Sequence, residues 1–116
     1  MFLPSQIRLS RTSTNRLQNI KNKTGITPNI GCRIAMLLAM NSNDDIKNAG
    51  LASDGQELNK DILFGKNIEV YEALLKQYIH ENEIDMPVAK VIASLVELGV
   101  HKMGHIKTIK QLCSLS

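Results

Sequence analysis

Arg8, Arg11, Arg16, Lys21, Lys23 and Arg33 fall within the first 43 residues of the chain, and not one Asp or Glu accompanies them. Cations gathered without counter-charge do one kind of chemistry well: they neutralise a polyanion, of which the phosphodiester backbone is the commonest example. The remaining residues carry eight basic and eleven acidic side chains, so the formal net charge of +3 sums about +6 at one end and −3 over the rest. A solubilising helix face is the plainer explanation of such charge. Spacing favours the polyanion, because the same segment is the most regularly patterned part of the chain.

Three other groupings invite chemistry and are less well supported. Glu97, His101 and His105 recur every four residues, as metal ligands on one helical face would. Gly99 and Gly104 weaken the helix that would hold them, so neither a metal nor another cofactor is expected. Gly65-Lys66 ends a stretch that resembles a phosphate-cradling loop. That loop needs a glycine where Lys60 stands and a Ser or Thr where Asn67 stands. Cys32 lies beside Arg33 near a helix amino end, a setting that would lower the pKa of an exposed thiol. Following Gly31 within an apolar helix, it reads instead as a small buried side chain. No catalytic residue is expected.

The elements that must position the cations are short and well signposted. Gln6-Ile7-Arg8-Leu9-Ser10 alternates as a half-buried strand does. Ser10, Thr12, Ser13 and Thr14 crowd the start of a helix, where side-chain oxygens receive free amides. Leu17 and Ile20 form its apolar stripe, and Gly25 ends it. Thr27 and Pro28 then open a second helix. Ile30, Ile34, Leu37, Leu38 and Met40 supply its apolar face, with Ala35 and Ala39 allowing close approach. Asn41, Ser42 and Asn43 stop it.

Strand, helix, turn, helix is the plan of a ribbon-helix-helix module, in which two chains pair their strands. A single short strand cannot satisfy its own backbone groups, so oligomerisation is expected. In that geometry Gln6, Arg8 and Ser10 face outward, Ile7 and Leu9 face the core, and the amides after Thr27 clamp a phosphate. A repressor or antitoxin reading operator bases through Gln6 and Arg8 is the alternative function. A scaffold meeting an acidic protein surface is a third.

Ile7-Arg8-Leu9-Ser10, residues 24–33 (TGITPNIGCR) and residues 61–77 (DILFGKNIEVYEALLKQ) together resemble the DndE family of bacterial DNA phosphorothioation proteins. The resemblance implies a non-catalytic subunit of the machinery that replaces a non-bridging phosphate oxygen of DNA with sulfur. It further implies a ribbon-helix-helix-like fold, assembly as a homotetramer, and binding of double-stranded and preferably nicked DNA through surface lysines. Other proteins of the modification complex would be partners. An acidic residue is expected after the Leu-Phe-Gly of this family, and here Lys66 stands in its place.

The rest of the chain bounds these expectations. The 116 residues make one domain, comprising a ribbon-helix-helix-like part over 5–40, a loop over 41–60 and a helical part over 61–116. The fold class is mainly α with one short amino-terminal strand and additional carboxy-terminal helices. Ile62 and Phe64 suggest an extended segment before Gly65. Ile68, Tyr71, Leu74, Leu75, Tyr78 and Ile79 form the face of a third helix. A fourth begins at Asp85 and Pro87 and fades at Gly99; a last one covers 106–112. With two Tyr, two Phe and no Trp, base stacking is poorly supplied, and duplex backbone contact is the expected mode. The longest apolar run, 34–40, is far short of the roughly twenty residues of a membrane span. A cytoplasmic location is expected, with Cys32 and Cys113 reduced. Gly25 and Gly31 bracket the inter-helix turn and are candidates for the oligomer interface.

Overall fold

Ser10 takes extended backbone angles, and its side chain accepts the Ser13 amide at 3.0 Å, which starts helix α1, Arg11–Thr24. Gly25 ends that helix at φ +80°, a left-handed conformation that glycine adopts without strain,. Three residues later Pro28 opens α2, Pro28–Met40. These local signals act as the sequence predicts. The computed structural model describes residues 2–42, 45–48 and 53–103; the expected helix over 106–112 lies outside them.

Strand β1, Gln6–Arg8, is not left for a second chain. It pairs antiparallel with β2, Glu57–Asn59, in the register Gln6 to Asn59, Ile7 to Leu58 and Arg8 to Glu57. Leu9 N to Gln56 O at 2.9 Å, Gly55 N to Leu9 O at 2.8 Å and Lys60 N to Ser5 O at 3.0 Å extend the ladder at both ends. The backbone groups whose satisfaction seemed to demand a partner subunit are therefore satisfied within the chain. Ile7 and Leu9 are fully buried, as expected, and Gln6 and Arg8 face out. Ser10, expected outside, is 6% exposed, because its hydroxyl caps α1 and also donates to Glu97 at 2.6 Å.

The expected loop over 41–60 thus holds β2 as well as a 3-10 turn at Ile46–Asn48. The expected extended segment over 61–64 is helical: α3 spans Lys60–Phe64, started by the Asn59 side chain accepting from Asp61 N and ended at Gly65. It still delivers Leu63 and Phe64 to the core. Helix α4, Ile68–Glu81, packs Phe64 against Tyr71 at 5.1 Å between ring centroids. Of its expected face, Leu75 is fully buried while Leu74 remains 37% exposed.

Helix α5, Val88–Met103, runs through the middle of the molecule, and every residue from Val91 to Val96 is buried. A helix apolar on all sides is buried on all sides. It does not fade at Gly99. A Cβ there would come within 2.0 Å of the Ala35 carbonyl oxygen, so the glycine marks the point where α2 and α5 cross. That crossing turns α2 away from the expected orientation. Gly31, Cys32, Ala35, Met36 and Ala39 are buried, whereas Ile30 is 45% exposed and Ile34, Leu37, Leu38 and Met40 are half-buried. Small side chains let the two backbones approach, and the gain in packed contacts outweighs burying the larger ones at the flank.

Candidate nucleic-acid interface

Helix α1 lies on the rim of the molecule, because only Ser13 and Leu17 of its 14 residues are buried. Its sequence contains no carboxylate to favour its positive amino end,. The rest of the chain supplies them: Arg11 N donates to Asp54 at 2.8 Å, and Glu97 accepts from the hydroxyls of both Ser10 and Ser13. Thr14 completes the seat, its hydroxyl donating to Ser10 O at 2.8 Å and accepting from Gln56 N at 2.9 Å. The outward surface of α1 is left to cations and amides.

The six cations read from the sequence fall into three settings. Arg33 is structural: its guanidinium donates to the carbonyls of Leu63 at 2.5 Å and Ile62 at 3.1 Å, closing the carboxy end of α3. Arg8 is compensated by Glu57 at 3.4 Å across the hairpin and donates to Gly55 O at 3.1 Å. Arg11, at the start of α1, has the Asp54 carboxylate on its own amide. Arg16, Lys21 and Lys23 form the third set. Among the described residues, neither Lys21 nor Lys23 has an acidic partner. Arg16 and Lys23, seven residues apart, share one flank of the helix, and Lys21 lies on the other.

Sequence reasoning passed over the ridge between those flanks. Asn15, Gln18, Asn19 and Asn22 are exposed there, with Gln18 donating to Asn22 at 3.2 Å. Amide side chains are frequent partners of phosphate oxygens, so their recurrence every three or four residues in an acid-free helix was the available signal. The last turn of α1 is joined to the first turn of α2 through Gly25, Ile26 and Thr27. There the first amides of a helix lack intrahelical partners. Thr27 makes no side-chain cap.

The glycine pair has divided roles. Gly25 provides the left-handed turn, and among the described residues a Cβ there would meet nothing within 4 Å. Gly31 is buried within the chain, where a Cβ would meet Leu17 Cδ2 at 2.8 Å.

The remaining chemistry candidates are held in structural contacts. Glu97 holds the serines that start α1, His101 Nδ1 lies 3.1 Å from Arg16, and His105 lies outside the described residues. Among the described residues no three His, Cys, Asp or Glu are grouped to hold a metal ion. Cys32 is fully buried, and burial pushes its thiol up to about 12 against the opposing pull of Arg33. It is therefore neither ionised nor accessible. Lys66 sits in a 3-10 turn after α3. A shallow cleft of about 390 Å³ beside the hairpin mixes Arg8 and Lys90 with Glu57, so it concentrates neither sign of charge. No helix among the described residues is long and apolar enough to cross a membrane.

Comparison with known proteins agrees with this architecture. No curated protein sequence matches the chain. In structure it is similar to DndE from Escherichia coli B7A, described as involved in DNA phosphorothioation modification. That likeness has a TM-score of 0.74 at 29% identity over 87% of this chain and 97% of that one. It is also similar to a DndE mutant with glycines replaced by lysine, with a TM-score of 0.71 at 27% identity over 87% of this chain and 98% of the other. The family model described as DNA sulphur modification protein DndE matches residues 6–111. With the match spanning nearly all of the sequence and the fold shared, the chain belongs to the DndE family.

Proposed function

We propose that this chain is a non-catalytic, DNA-docking subunit of a DNA phosphorothioation system. It engages the duplex backbone through the outward face of α1. The observation that carries this reading is an acid-free helix whose last-turn lysines, Lys21 and Lys23, have no acidic partner among the described residues. Arg16 and the ridge of Asn15, Gln18, Asn19 and Asn22 extend the surface, and the first amides of α2 add donors beside it. Arg33 leaves the set of DNA contacts, because its donors are taken by α3. Arg8 and Arg11 are secondary, each beside a carboxylate.

Assembly as a homo-oligomer, a tetramer by resemblance, belongs to the same proposal. Ile30, Ile62, Val70 and Leu74, 37–58% exposed, offer apolar surface for neighbouring subunits or for other proteins of the modification complex,. Assembly multiplies the phosphate contacts and so the affinity. A preference for nicked DNA and a cytoplasmic site of action complete the reading. The insertion of β1 into a groove, which a ribbon-helix-helix repressor requires, is disfavoured because β1 is paired with β2 inside the chain.

The test is a titration of intact, nicked and unrelated duplexes at several salt concentrations, with the oligomer mass measured by light scattering. Binding without sequence preference is expected, with log K falling by about 0.9 per log salt for each phosphate neutralised. Sequence-selective binding would move the assignment to a repressor. No binding in dilute buffer would leave a protein-binding scaffold.

A further inference from the structure

Strand β1 uses only one of its two edges. Hydrogen-bonded and non-bonded residue pairs alternate along an antiparallel ladder. Leu9 donates to Gln56 and Ser5 accepts from Lys60, so the pair between them that bonds in the same phase is Ile7 with Leu58. The amides and carbonyls of Gln6 and Arg8 therefore point away from β2. Among the described residues none donates to them or accepts from them, and both residues are exposed.

The same two residues line the shallow cleft of about 390 Å³, together with Ala89, Lys90 and Ala93 of α5. Strand edge and helix thus border one groove. Its volume falls within the range of about 300–1,000 Å³ common to ligand sites. We propose that this groove receives an extended, acidic peptide segment of another protein, which adds to β1 as a third strand. The site lies apart from the α1 surface and is independent of the DNA-docking reading.

Three observations choose the occupant. Two free amides and two free carbonyls alternate along the edge, and a peptide backbone answers both, which is how strand addition gains its affinity. Phosphate oxygens accept only, so a nucleic-acid backbone would leave the Gln6 and Arg8 carbonyls and the Glu57 carboxylate facing an anion,. Charge selects among peptides. Glu57 compensates Arg8, whereas Lys90 is exposed and has no acidic partner among the described residues. A carboxylate on the incoming segment supplies one. A second copy of this chain does not, because β1 contains no acidic residue and Glu57 of β2 is already engaged by Arg8.

The experiment uses the whole chain and a display library of short random linear peptides, from which the enriched sequences are synthesised and titrated. Asp or Glu is expected in the enriched peptides. Amide hydrogen exchange by NMR then reads the edge directly. In the free protein the Gln6 and Arg8 amides should exchange fast and the Ile7 amide slowly. Peptide at about ten times its Kd should slow the first two about tenfold and leave Ile7 as it was. Lys90→Glu should weaken the peptide about fivefold, the weight of one exposed ion pair, while Lys66→Glu, at an exposed lysine after α3, should not,. The salt slope of duplex binding should be the same for Lys90→Glu as for the parent. Slow exchange at Gln6 and Arg8 in the free protein would show the edge already covered and overturn the proposal. So would a library that yields no binder, or binders that leave those amides unprotected or ignore Lys90→Glu. A salt slope lowered in Lys90→Glu would give the groove to nucleic acid and overturn it equally.

Discussion

Helices α1 and α5 are nearly equal in length, 14 and 16 residues, and opposite in use: α1 buries two residues and α5 buries nine. Burial of apolar surface is the main favourable term in folding, so α5 is where stability resides. Helix α1 contributes little of it and is held instead by polar contacts at its amino end, where Glu97 and Asp54 arrive from elsewhere in the chain. A helix freed from packing on most of its circumference can devote that surface to charge. The division teaches that whether a cation in this protein is compensated depends on what the fold brings beside it, not on its place in a basic run.

The sharpest way to break that contrast is at the crossing. Gly99→Val should be the most damaging substitution, since its Cβ would overlap the Ala35 carbonyl and no flexible side chain can yield. A loss of at least about 3 kcal/mol is expected by chemical denaturation, enough to populate the unfolded chain. A stable Gly99→Val protein would show that α5 is not the fixed axis of the fold.

Next in size is Arg33→Met, which leaves the carbonyls of Leu63 and Ile62 without their donor. Thermal denaturation should register about 1–3 kcal/mol, with DNA affinity of the folded fraction unchanged. Weakened DNA binding at undiminished stability would return Arg33 to the interface.

Lys21→Gln with Lys23→Gln should do the reverse. Stability should shift by less than about 0.5 kcal/mol, as for exposed positions generally, while the salt slope drops by about 0.9 for each lysine that meets a phosphate. An unchanged slope would remove α1 as the docking face.

At neutral pH the smallest expected effect concerns Cys32. Its folded-state thiol is raised from 9.0 to about 12 by burial, so the folded state holds the proton more tightly than the unfolded one. The corresponding stability is fully present below pH 9 and is lost as pH rises from about 9 toward 12,. Alkylation by iodoacetamide at neutral pH should accordingly proceed only at the rate of local opening. Rapid alkylation of the native protein would reopen a sulfur-handling role.

Much of the local structure was legible from single residues. Ser10 as a cap, Gly25 as a left-handed stop and Pro28 as a first-turn residue each rest on the preferences of one or two backbone units, and all three stand where expected. Gly99 misled because glycine has two meanings in a helix, an ending and a close approach, and only the neighbour at Ala35 tells them apart. Glu57-Leu58-Asn59 gave no strand signal: it lacks β-branched and aromatic residues, and it is a strand because β1 is there to pair with it,.

For the candidate site, the charge pattern alone determined that the amino-terminal third would be cationic and that α1 would be its main element, since net charge and helical period need no partner. Which of those cations remain available was decided only in three dimensions. The carboxylate and carbonyls that engage the Arg8 and Arg33 side chains lie 29 to 49 positions away in sequence, as Arg8–Glu57, Arg33–Ile62 and Arg33–Leu63, and the Asp54 carboxylate on the Arg11 backbone amide lies 43 away. The strand pairing joins residues 49 to 53 positions apart within one chain, which removed the argument that the strand must seek another. Propensity and charge act over a turn or two of backbone, whereas compensation and pairing depend on which distant segments the core brings together.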